Sequence, residues 1–160
     1  LLRLNESQST SFALDLKKWH QIMLAYENGG HAYHATMPTD ALIYLRDAMR
    51  ETEAAGFDAM CQAQVTLGRE VRSLLAEHGF RSVAAAGFEA PGVVVCYTDD
   101  DAIHTGKRFI ELGLQCAAGV PLQCNEPAGF KTFRLGLFGL DKLQNIERTV
   151  ARLRTALEAL

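Results

Sequence analysis

Few side chains in this sequence are of a type and spacing that could do chemistry, and Arg134 is the most informative of them. It stands between Phe133 and Leu135 in an otherwise apolar run. An unpaired charge in such a setting is costly, so the guanidinium must be paired or must face a solvated cleft. It is either half of a structural ion pair or a planar fork that grips a carboxylate bidentately. A second constellation is Tyr33-His34-Ala35-Thr36, two hydroxyls and an imidazole just ahead of Thr39-Asp40, a good helix start. Hydroxyl donors beside a helix N-terminus suit a phosphate group, although Tyr and Thr are also common loop residues.

Other combinations are weaker. His31 with His34, and Cys116 with Cys124, lack the companion pair that a zinc site requires, so no metal is expected. A nucleophilic cysteine needs an electropositive, partly exposed place, and Cys96 sits instead in a Val-rich run. Cys61, Cys96, Cys116 and Cys124 form no Cys-x-x-Cys pair and read as buried free thiols. Gly136-x-x-Gly139 lacks a phosphate-loop fingerprint and reads as a tight strand-to-helix turn.

The elements that must position these residues follow from periodicity. Residues 5–11 are polar and aperiodic, a mobile or extended leading segment. Leu16, Trp19, Ile22 or Met23, and Tyr26 recur at helical spacing up to Asn28-Gly29-Gly30, which stops the helix. Residues 31–38 form a connector. Helices are expected at about 39–55, with Leu42, Leu45, Ala48 and Met49 on one side, and at about 57–78, with Met60, Gln64, Leu67, Val71 and Leu74 on one stripe.

After Gly79 the texture changes to short apolar runs. Strands are expected at 82–86, 92–97, 114–118 and 133–137, with one helix at about 99–112 and a last helix from Leu140 to Leu160. The fold class is therefore α+β, a small antiparallel-type sheet covered by helices on one face and preceded by a helical connector. The stretch 119–131, with Pro121, Pro127 and Gly129, is long enough to suggest a functional loop.

A length of 160 residues suits one domain or a large piece of one, and 48% hydrophobic with 22% charged residues is ordinary globular usage. A net charge of −3 offers no footprint for nucleic acid, and no apolar run approaches a membrane span. A cytoplasmic setting is the default expectation. The chain begins Leu1-Leu2-Arg3 without Met, so an upstream extension or processing is expected.

The segment from Phe12 through Tyr33-His34-Ala35-Thr36-Met37-Pro38, together with Thr132-Phe133-Arg134-Leu135-Gly136-Leu137-Phe138-Gly139 and its amphipathic helix, resembles the C-terminal part of a class V aminotransferase. The subgroup is the alanine–glyoxylate (serine–pyruvate) type, dependent on pyridoxal 5′-phosphate (PLP) and of fold type I. The resemblance covers residues 12–160. It implies that Arg134 binds the carboxylate of a small amino or keto acid, such as pyruvate or glyoxylate. It also implies that Tyr33 and Thr36 reach across a homodimer interface to the partner's PLP phosphate.

On this reading residues 1–38 are a leading segment and connector from an absent large domain, and 39–160 are the small domain. The family's chemistry needs a lysine bonded to PLP, and none of Lys17, Lys18, Lys107, Lys131 and Lys142 matches it. No catalytic residue is then expected within the chain, which alone would be inactive. The alternative is a stand-alone module that binds a small carboxylate or serves assembly, without catalysis.

Overall fold

A computed structural model describes residues 2–160. The chain divides into two compact units, Leu1–Asp47 and Ala48–Leu160. In the first, α1 (Leu2–Glu6) turns part of the expected irregular leader into helix, and α2 (Leu16–Glu27) starts where Asp15 accepts from the Lys18 N–H at 3.0 Å. Gly29, at φ 76°, follows its end. Of the apolar stripe expected on α2, only Ile22 is buried, while Leu16, Met23 and Tyr26 are exposed. Two short helices and a polar connector carry too little apolar surface to cover that face. The third helix, α3 (Thr39–Ala55), runs across the boundary between the units and buries no residue of its own, so Leu42, Leu45 and Met49 are exposed.

The second unit holds the core. Its long helix α4 (Phe57–Glu77) buries Leu67, Val71, Leu74 and Leu75. Then come β1 (Val93–Tyr97), α5 (Asp101–His104), α6 (Lys107–Glu111), β2 (Ala117–Ala118), β3 (Thr132–Gly136), α7 (Leu140–Gln144) and α8 (Ile146–Leu157). The sheet is antiparallel, in the order β1-β3-β2. Strand alternation sends Val94, Cys96, Phe133 and Leu135 to one face, where they meet the α4 stripe, Phe109, Leu153 and Leu157. Phe133 is the hub, edge-on to Phe80 at 5.1 Å and tilted on Phe109 at 5.2 Å.

The α+β class stands, with three corrections to its parts. The expected strand at 82–86 reduces to a single bridge, Ser82 to Cys96, flanked by Val83 N–H to Val95 O and Tyr97 N–H to Arg81 O. The run that follows is alanine, which lacks the branched surface that packs on a sheet. The helix expected over 99–112 is two, because Gly106 turns left-handed (φ 76°) and its backbone lies so near Cys116 that a Cβ would come within 2.8 Å of the carbonyl oxygen. The last helix also breaks, at Asn145, whose side chain donates to Asp141 O at 2.9 Å while its own carbonyl starts α8 by accepting from Thr149 N–H.

The thiols divide as well. Cys61 and Cys124 are exposed, Cys96 is buried and Cys116 is half-buried. Burial pushes Cys96 and Cys116 up to about 11. At pH 8 a maleimide should therefore label Cys61 and Cys124 quickly and the other two slowly, with their labelling rising only as the pH approaches 11; peptide mapping reads the four rates.

Gly68 supplies a second check. A helix-interior Gly→Ala change normally adds about 0.5–1 kcal/mol of stability. Here a Cβ would meet Pro91 O at 2.6 Å and Pro91 Cα at 3.0 Å. Both are backbone atoms of a turn that cannot swing aside. Gly68→Ala should thus destabilise, by about 1–3 kcal/mol, as a lowered urea midpoint at unchanged slope.

Candidate functional site

Arg134 lies on the central strand β3, in register with Val95 on one side and Ala117 on the other. Its neighbours Phe133 and Leu135 are buried in the core, so the period of two directs Arg134 to the opposite face of the sheet, where it is half-buried. Its Nε donates to Ala118 O at 3.0 Å. No carboxylate pairs with it, and neither terminal nitrogen donates to an acceptor among the described residues. The fork is thus held by one edge and left open at its end. Val95, half-buried, and Ala117, exposed, lie beside it as small apolar residues that do not block the guanidinium. Tyr97 shares this face, and the Arg81 guanidinium lies 4.1 Å over its ring, bringing a second cation.

Tyr33 and Thr36 belong to the first unit, in the irregular connector that precedes α3. Tyr33 is 81% exposed, Thr36 is exposed too, and neither hydroxyl has a partner among the described residues. His34 between them is a structural residue. Its Nε2 donates to Phe12 O at 3.3 Å, and its ring packs at 4.3 Å on Phe12 and 5.2 Å on Trp19, whose Nε1 donates to Ala13 O at 3.0 Å. Pinning His34 leaves its neighbours pointing away with free hydroxyls.

The loop 119–131 contains an arrangement that residue pattern alone did not single out. The Glu126 carboxylate accepts from the backbone N–H groups of Leu122, Gln123 (2.7 Å) and Cys124 (2.7 Å). These bonds, with one from its own N–H as the largest contribution, hold the Glu126 carboxyl below the ordinary value. At the foot of the loop, His104 Nδ1 donates to Thr132 O at 2.7 Å, which fixes its tautomer, and its carbonyl accepts from Gly119 N–H at 3.0 Å. Arg72 is a further residue without a sequence signal. It ties α4 to the approach of β1 by donating to Ala90 O (2.7 Å), Val93 O (2.8 Å) and Ser82 Oγ (3.3 Å).

No family model matches the chain. Among curated proteins, a 2-aminoethylphosphonate–pyruvate transaminase of Burkholderia ambifaria is 30% identical over 160 residues, covering 97% of this chain and 40% of the relative. A 2-aminoethylphosphonate–pyruvate transaminase of Burkholderia lata is 28% identical, covering 98% of this chain and 41% of that one. Among solved structures, an alanine–glyoxylate aminotransferase from Nostoc sp. matches 94% of this chain with 39% of its own, at a TM-score of 0.66 and 19% identity. A ureidoglycine–glyoxylate aminotransferase from Bacillus subtilis matches with the same TM-score at 20% identity, 38% of its chain being covered. The chain thus spans about 40% of the length of the curated relatives it matches. The expected likeness to part of a class V aminotransferase agrees with these comparisons: in sequence the chain is similar to 2-aminoethylphosphonate–pyruvate transaminases, and in fold to aminotransferases of the alanine–glyoxylate type.

Proposed function

We propose that this chain is the substrate-carboxylate-binding part of a PLP-dependent aminotransferase. The whole protein would move an amino group between a small amino acid and a keto acid such as pyruvate or glyoxylate. The observation that carries this reading is Arg134, a half-buried guanidinium held at Nε by Ala118 O, with no acidic partner among the described residues and with its terminal nitrogens open. A structural ion pair would have placed a carboxylate there. A substrate carboxylate in that place would take two parallel N–H donors, which sets the position and the angle of the α-carbon.

The residues also suit the cofactor. Two exposed hydroxyls without partners among the described residues, on a connector ahead of α3, are donors with capacity to spare for a phosphate. Tyr33 and Thr36 would hold that phosphate, and in a homodimer it would be the one bound by the partner subunit. Bound PLP would supply the electron sink for moving the α-proton. The lysine that carries it is none of the five in this chain, so we assign the activity to a longer protein and expect the chain alone to be inactive. A stand-alone carboxylate-binding module would share Arg134 but has no task for Tyr33 and Thr36.

In the full-length protein, Arg134→Ala should raise KM for the keto acid at least about a hundredfold, the equivalent of ~3 kcal/mol from two charge-assisted hydrogen bonds. The absorbance of bound PLP should be unchanged. Arg134→Lys should recover only part, since a point charge replaces a fork. A KM indifferent to Arg134, or a full-length protein that binds no PLP, would sink the proposal.

The phosphate role is separable. Tyr33→Phe and Thr36→Ala should each weaken PLP binding about tenfold, read without turnover by equilibrium dialysis of the apo-protein. An unchanged PLP affinity in the double variant removes both residues from the cofactor site.

A further inference from the structure

The loop 119–131 joins β2 to β3, the strand that bears Arg134. Its two feet are fixed. A Cβ on Gly119 would lie only 2.0 Å from Thr132 O, so the backbones of the feet lie flat against each other. Gly119 N–H and Thr132 O are both bonded to His104, and Lys131 Nζ pairs with Asp101 at 2.7 Å. Ala118, one residue before Gly119, is the residue whose carbonyl holds Arg134 Nε. The orientation of the guanidinium is therefore set by the stem of this loop.

The tip is held differently. Residues 120–126 make no backbone–backbone hydrogen bond among the described residues. Their N–H groups instead curl around the Glu126 carboxylate, with Gln123 (φ 59°) and Asn125 (φ 64°) in the left-handed region. Successive N–H groups in such a curl make a concavity for an anion, and here the anion is the chain's own side chain. Of these two, Asn125 adopts left-handed geometry readily, whereas Gln123 needs a compensating interaction, and its N–H has one in the Glu126 carboxylate. The returning limb of the loop reaches the face of the sheet that Arg134 occupies, through Phe130 edge-on to Tyr97 at 5.7 Å.

We propose that Glu126 is a positioning residue for carboxylate binding at Arg134: it latches the 119–131 loop shut, and the latched loop closes the end of the sheet face from which Arg134 projects. The proposal rests on the reading of Arg134 as the substrate-carboxylate anchor. An unlatched loop would let water compete for the open guanidinium while the stem, held by His104 and by Lys131 with Asp101, keeps Nε in place.

The experiment compares Glu126→Gln, Glu126→Asp and Arg134→Ala in the full-length protein. Glu126→Gln should raise amide hydrogen exchange at Leu122, Gln123 and Cys124 about tenfold or more, since one oxygen and the charge that hold them are lost. It should raise KM for the keto acid about tenfold with kcat nearly unchanged, and leave the thermal midpoint of the core in place. Glu126→Asp, which keeps the charge on a shorter arm, should restore part of both effects. The proposal is overturned if exchange does not change, if exchange rises while KM stays put, or if KM shifts only together with a fall in thermal midpoint. Should Arg134→Ala itself leave KM unchanged, the anchor reading fails and this inference with it. If Arg134→Ala raises KM and Glu126→Gln does not, the latch alone is wrong.

Discussion

The alternation of β3 is the constraint on which the second unit depends. Phe133 and Leu135 point into the core, so Arg134 between them must leave by the other face. A register slip of one residue would bury the guanidinium and expose an aromatic ring, exchanging favourable burial of about 1.5–3 kcal/mol per apolar side chain for the burial of an unpaired charge. Because β3 is central and paired on both sides, that register is fixed by β1 and β2 together. Placement of the cation is thus a by-product of core formation.

Around this strand, polar side chains tie backbone to backbone where the sheet is too short to do so itself. Arg72 spans from α4 to the carbonyls of Ala90 and Val93, and His104 reaches from α5 to Thr132 O. Glycines permit the close approaches: Gly68 under Pro91, Gly106 beside Cys116 and Gly119 against Thr132. Each of these contacts joins segments distant in the chain, and together they hold three short strands in a frame that a hairpin alone would not keep. The first unit is built with less. One buried side chain among the described residues, Ile22, and the aromatic packing of Phe12, Trp19 and His34 organise it, and most of its described apolar helix faces remain uncovered in this chain.

Several features could be read from residue order because they are local. The stripes Leu67–Val71–Leu74 and Val150–Leu153–Leu157 repeat at the helical period, β1 is a run of β-branched and aromatic residues, and β3 is a short apolar run broken only by Arg134, so those elements were foreseeable. Arg134 stood out for the same reason, as a charge inside an apolar run. Where periodicity misled, a long-range contact intervened. The helix expected through residue 112 breaks because Gly106 must pass Cys116, and the expected strand at 82–86 stops after one bridge because alanine gives the sheet nothing to grip.

By itself, then, the sequence determined the α+β class, the two residues that flank Arg134 in the core and the placing of two hydroxyls, Tyr33 and Thr36, just ahead of a helix start. Those follow from hydrophobic period and residue type. Only the tertiary structure decided that Arg134 has no acidic partner among the described residues, that its Nε is spent on Ala118 O, and that Glu126 gathers the tip of the neighbouring loop. The physical reason is that burial is written in local patterning. Which donor meets which acceptor depends instead on distances across 16 residues between Arg134 and Ala118, and on backbone angles at Gln123 and Asn125 that no residue pattern there demands.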